Sequence, residues 1–386
     1  MRFYDCEFLA IIPIIFGFRL QCGSLVKSLT MKLVWVINAF NMISGLVICF
    51  VASTPKLNHS AMIIANNITA NLLLLVIFAF RQAKLETLMD KLLALCSNRQ
   101  QIGLLRMSRI LGIIWLLIIV SQLIISINYV KASDLPQFES LRLQFGPRLG
   151  QATIWYLHAV IVIYPFGIYS ATLLFYVFVV KLLGEVSANA VRNLPAYFPE
   201  TSNSSWRLEN VDGIAEPFPR AKNILFAQLD ADSLRRNYDF VTQHTSKLVA
   251  ETQFLAAVLV SEYFMDTILR ASFTALRSEE IAVIDMVFRW CSNLSVFCSL
   301  VVVILFVDDH SQRLQRVRSI VLSRVDELLV DRVRELSLKS NLIKHFRTNK
   351  AGALSAGRFF NIDRQLIINM VGGIITFSVV ITSMFQ

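Results

Sequence analysis

The strongest constraint on this chain is a succession of apolar stretches, each about as long as a bilayer-crossing helix. They fall at residues 33–53, 61–80, 110–130, 152–180, 253–273, 284–307 and 365–386. With 17% charged residues, 55% hydrophobic residues and a mean hydropathy of +0.58, the 386-residue chain has too little charge for a soluble protein of that size. The reading is an all-α polytopic membrane protein with seven transmembrane helices. The fourth stretch is unusually long and contains Pro165, which predicts a tilted or kinked helix. The fifth carries Glu262, Asp266 and Arg270 and is the weakest of the set.

The charges between these stretches give the orientation. Lys and Arg total thirty in the N-terminus and in alternate linkers, against six in the others. The positive-inside rule then places the N-terminus inside and the C-terminus outside. The net charge of +10 is accounted for by topology, so no nucleic-acid partner is needed.

The segments outside the spans differ in kind. Residues 8–18 are apolar but half a span long, with Pro13 and no small-residue cleavage site. That is a poor signal peptide and fits a re-entrant or interfacial segment. Residues 81–109 form a basic, helix-like linker. Residues 194–219 hold four of the nine prolines and a Ser/Asn cluster, which predicts a disordered loop. Helical patterning resumes at Arg220, with Leu225, Leu229, Leu234, Tyr238 and Val241 on or near one side, and runs into the fifth span. In residues 308–364, Leu314, Val317, Val321, Val325 and Leu328 make one apolar stripe, and Leu329, Val333 and Leu336 a second. Such helices should pack on other cytoplasmic helix ends.

Enzyme chemistry has no footing. There is no H-E-x-x-H or G-x-S-x-G motif, and the P-loop spacing of Gly352 and Gly357 is followed by Arg358-Phe359. The five histidines are dispersed and the six cysteines form no C-x-x-C pair, so neither a metal site nor a cofactor is expected. Of the sequons, only Asn58 falls in a predicted outside loop.

Polar groups inside the spans are costly and need partners or water. Oriented by the topology, many lie in the outer half: Asn66, Asn67 and Asn71; Gln122, Asn128 and Tyr129; Trp155, Tyr156, His158 and Tyr164; Asp266 and Arg270; Asp285, Arg289 and Trp290. Asp266/Arg270 and Asp285/Arg289 are i,i+4 pairs, so structural ion pairing is one reading. The other is an aromatic, polar-rimmed pocket for a small ligand. The last stretch shows a second pattern. Asn369, Gly372, Thr376, Val379, Ser383 and Gln386 share one helical face. Small and hydroxyl residues on one face serve close helix packing; repeated around an axis, they line a pore.

Gly357-Arg358-Phe359-Phe360-Asn361-Ile362-Asp363-Arg364, followed by Thr376-Phe377-Ser378-Val379-Val380-Ile381, resembles the C-terminal signature of the insect gustatory receptor family. Phe377 replaces the family tyrosine, and Ser383-Met384 stands where Gln-Phe is expected. The resemblance implies a tetrameric, ligand-gated cation channel of the chemosensory neuron's plasma membrane, opened by a small-molecule tastant, with identical or related subunits and the lipid bilayer as its partners. It implies a pore lined by Gly372, Thr376, Val379, Ser383 and Gln386. It also implies an outer-half pocket, for which Tyr129, Trp155, Tyr156, His158, Tyr164, Asp266 and Arg289 are the candidates. The organisation expected is then a cytoplasmic N-terminus (1–32), helices one to four (33–180), a cytoplasmic loop and helix (181–252), helices five and six (253–307), a cytoplasmic anchor (308–364) and the pore helix (365–386). Insect odorant receptors share this architecture and are the nearest alternative. A G-protein-coupled receptor would need the N-terminus outside, against the charge pattern, and a transporter would favour internal repeats, of which none is found.

Overall fold

The computed structural model describes residues 25–52, 59–132, 159, 163–197, 230–276, 283–328, 330, 333–348, 355–356 and 360–385. Their helices, in chain order, are α1 (Leu25–Ala52), α2 (His59–Ala94), α3 (Asn98–Ala132), α4 (Tyr164–Tyr197), α5 (Ala231–Leu276), α6 (Val283–Glu327), α7 (Val333–Thr348) and α8 (Arg364–Phe385). A two-stranded antiparallel ribbon, β1 (Ser355–Ala356) with β2 (Phe360–Asn361), precedes α8. Among the described residues every other element is helical.

Three described helices are long and apolar enough to cross a membrane: Asn98–Ile124, Tyr164–Leu194 and Ala231–Leu269. A fourth is counted if Ala65–Arg81 and Ala83–Ala94, bent by 68°, form one span. Lys32–Val47 and Arg364–Val380 are apolar but shorter.

α4 is the hub. It packs against α2, α3, α5 and α6, and 89% of its apolar window is buried, against 11% for that of α3. Phe178, Val180 and Leu182 are fully enclosed. α3 instead exposes Ile110, Ile113, Leu116, Leu117 and Ile124, which suits a lipid solvent. Pro165 stands in the first turn of α4, where a missing N–H costs nothing. The helix also runs on past the end of the apolar stretch to Tyr197, so the first residues of the expected loop are helical.

The basic linker after the second span is a helical hairpin. Ser97 begins α3 with a reciprocal cap: Gln100 Oε1 accepts from Ser97 N and Oγ, both at 2.9 Å. Gln100 Nε2 also donates to Glu185 Oε2 at 2.9 Å, tying the hairpin to α4. The helix entering the fifth span is continuous from Ala231, with Ser233 N donating to Asp230 Oδ1 at 3.1 Å as its cap.

In residues 308–364 the first apolar stripe is buried as expected. Val317, Val321, Val325 and Leu328 pack with Leu194 of α4, Leu234 and Tyr238 of α5, and Leu342 and Phe346 of α7. The second stripe differs. Val333 is 86% exposed and Leu336 59%, because α7 turns its Leu342 and Phe346 side inward. Arg318 of α6 fixes that orientation by donating to Phe346 O (2.6 Å) and Arg347 O (2.7 Å) at the C-terminal end of α7.

Candidate functional site

The polar groups predicted to gather in the outer half are only partly within the described residues. Trp155, Tyr156 and His158 lie outside them, as do the side chains of Tyr129, Arg270, Asp285 and Arg289. Tyr164 opens α4, half-buried, with its hydroxyl enclosed and without a partner among the described residues.

Asp266 belongs to a cluster between α2 and α5. With its amide nitrogen turned toward α5, Asn67 donates to Glu262 Oε1 at 2.7 Å and to Asp266 Oδ1 at 3.2 Å. One turn along, Asn71 is 1% exposed and donates through Nδ2 to Asn67 O at 2.7 Å. Tyr169 of α4 closes the side by donating to Leu259 O at 3.1 Å. Two carboxylates one turn apart, capped by an amide from another helix, form a polar spot in an otherwise apolar bundle. It can hold a hydrogen-bond donor. Sequence reasoning singled out Asp266 as a ligand candidate, gathered Asn67 only with the outer-half polar groups, and read Glu262 only as a weakness of the fifth span. The available signal was their period: Glu262/Asp266 and Asn67/Asn71 are both i,i+4.

α8 shows its two sides clearly. Leu366 and Met370 are buried, and Ile367 and Ile374 pack on the core. Gly373 lets α5 come close: a Cβ there would lie 2.9 Å from Phe264 Cε2 and Cζ. Phe264 also meets Phe377 edge-on, with ring centroids 6.1 Å apart. The opposite side carries Asn369, Gly372, Thr376, Val379 and Ser383, all exposed, and a Cβ on Gly372 would meet nothing within 4 Å. Gln386 lies outside the described residues. Thr376 and Ser383 turn their hydroxyls back onto the helix, donating to Gly372 O (2.9 Å) and Val379 O (3.0 Å). Each leaves oxygen lone pairs toward the open side, and the helix needs no neighbour to satisfy them.

A cavity of about 140 Å³ lies at the other end of the bundle, between the C-terminal part of α4 and the start of α5, lined among others by Asn189, Ala190, Leu234, Tyr238 and Val241. Its lining shares no residue with the predicted ligand pocket. Among the described residues no group of three His, Cys, Asp or Glu is arranged to hold a metal ion.

No family model matches the chain, and no curated protein matches its sequence. Among solved structures it is similar to the insect olfactory receptor OR5 from Machilis hrabei, at 11% identity and a TM-score of 0.64 over 97% of each chain. It is also similar to that receptor in complex with eugenol, at 12% identity and a TM-score of 0.62 over 99% of this chain and 98% of that one. At such identity the likeness establishes the fold, which this chain shares over nearly its whole length with an insect olfactory receptor.

Proposed function

We propose that this chain is one subunit of a tetrameric, ligand-gated cation channel of the gustatory type. It sits in the plasma membrane of chemosensory neurons, with its N-terminus inside. A small-molecule tastant binds in the outer half of each subunit, at Tyr129, Trp155, Tyr156, His158, Tyr164, Asp266 and Arg289, with Glu262 and Asn67 added by their contact with Asp266. Four copies of α8 line the pore with Gly372, Thr376, Val379, Ser383 and Gln386.

The observation that carries this reading is the exposed small-residue face of α8. A helix that only faced lipid would gain from large apolar residues there, as α3 shows. A helix around a water-filled axis gains from small dipoles. The full-length likeness to an olfactory receptor supports a chemoreceptor assembly. The Gly/Phe-rich turn before α8 favours the gustatory type, whereas the solved relatives favour an odorant-type channel as the second reading.

Expression in a null cell, challenged with tastant and odorant panels, tests the proposal. Agonist-evoked cation current is expected. Responses confined to volatile odorants would move the assignment to the second reading. An agonist-evoked intracellular signal with no channel current, or an externally stained N-terminal tag with an internal C-terminal one, would point to a coupled receptor instead.

A further inference from the structure

α8 begins with a charge in an unfavourable place. Arg364 is its first residue, where the positive end of the helix dipole repels a cation. The acidic cap is already supplied by Asp363, whose Oδ1 accepts from Leu366 N at 3.2 Å. Arg364 is therefore not explained by its own helix. Its Nε donates instead to Asp308 Oδ2 of α6, at 2.6 Å. The Asp308 side chain is 17% exposed, and its Oδ2 also accepts from Gln312 Nε2 at 2.8 Å. A partly desolvated carboxylate held by two donors is a fixed anchor point.

The position of Asp308 gives the pair its meaning. It follows Val307, which is fully buried in the helical core, and precedes Leu314 and Val317, of which Val317 belongs to the second packed cluster. α6 is one unbroken helix from Val283 to Glu327, so a slide of the helix along its axis carries Asp308 with it. The covalent path from Asp308 to α8 is indirect, through α7 and the β-ribbon. The Arg364 contact bypasses it.

We infer that the Asp308–Arg364 pair is the mechanical tie by which movement of α6 positions the pore helix. The functional half of this inference rests on the channel reading above. Asp308 and Arg364 are positioning residues: they touch neither ligand nor ion and act on where α8 stands. Because the Arg364 side chain is 65% exposed, the pair adds little to global stability. Its signature is coupling.

The test uses the full chain in nanodiscs and in cells. Asp308→Asn and Arg364→Gln are each expected to speed hydrogen exchange of the amides at 366–372 by about threefold. The two together should do no more than either alone. The reciprocal exchange of charges, Asp308→Arg with Arg364→Asp, should restore slow exchange. Unchanged exchange in the single variants, or additive effects in the double, would overturn the tie. In patch recordings with eugenol as the first probe, then a tastant panel, the single variants should lower maximal current per surface channel several-fold. Their apparent affinity should hold, and the charge swap should recover the current. Equal maximal currents alongside altered exchange would overturn the gating role. A parent silent to every compound would retire the channel reading, while the exchange result still decides the tie.

Discussion

α4 and α8 are both strongly apolar helices, but one is finished within the chain and the other is not. α4 is covered by α2, α3, α5 and α6. α8 touches α5 and α6 along one side and leaves Ile368, Val371, Ile375, Val379 and Val380 exposed beside its small residues. Hydropathy does not separate them, because a bilayer and a packed core are equally apolar solvents. Packing separates them: large side chains interlock around α4, whereas the open side of α8 leaves both its large apolar side chains and its small-residue stripe uncovered within the chain.

The comparison is broken first at its strongest point. Phe178 is fully buried in α4. Phe178→Ala leaves a cavity that lipid cannot fill, and should cost about 3–4 kcal/mol. A fall in midpoint of several degrees in detergent is the expected reading. An unchanged midpoint would mean that α4 is not the hub.

The seam of α4 with α6 supplies the next effect. His310 is 0% exposed, and among the described residues neither ring nitrogen makes a well-formed hydrogen bond, the Leu183 backbone being its nearest polar neighbour. Burial pushes its imidazole down from 6.5 to about 4, with the Leu183 backbone and Asp309 opposing and Arg313 assisting. Folding therefore holds it neutral, whereas the unfolded chain takes up a proton below about pH 6.5. The stability is fully present above 6.5 and is lost as pH falls toward 4, by up to about 3 kcal/mol. Thermal midpoints measured across this range should fall, and His310→Leu should flatten that part of the curve.

What could be read beforehand was what repeats along a helix. The stripe from Leu314 to Leu328, the continuous helix into the fifth span and the small-residue face of α8 are all periodic, and periodicity is local. What could not be read was contact between helices. Nothing in the sequences of α3 and α4 says which is covered, since both are apolar all round. The pairing of Asn67 with Glu262 and Asp266, and of Asp308 with Arg364, joins residues far apart in sequence. Val333 and Leu336 show the converse error: their spacing implied burial, but the partner face of α7 was decided by Leu342, Phe346 and Arg318.

The adjacent glycines of α8 sharpen the comparison on a single turn. Gly373→Ala must displace the Phe264 ring from 2.9 Å, an overpacking that should cost about 1–2 kcal/mol. Gly372→Ala meets nothing within the subunit and should leave monomer stability unchanged or slightly raised by helix propensity, by roughly 0.5 kcal/mol. Matched midpoints for the two variants would mean that α8 does not dock on α5 as described.

The smallest effect on stability is the most informative for function. Val379 is 64% exposed, so Val379→Ser removes almost no packing within the subunit, and the midpoint should move by less than about 0.5 kcal/mol. If four copies of α8 surround an axis, however, the same residue forms a ring between Thr376 and Ser383, one turn to either side. A ring of isopropyl groups narrow enough to exclude water blocks ions, and hydroxyls in its place would wet it. In that arrangement Ser383, short where the gustatory signature has glutamine, would leave a wider outer ring and put more of the closure on Val379. Ligand-independent current at matched surface expression should then rise at least several-fold in Val379→Ser. The same change at Leu117 of α3, likewise 63% exposed, should leave basal current alone. A silent Val379→Ser channel would make the open side of α8 another packing face, and the pore would have to be sought elsewhere.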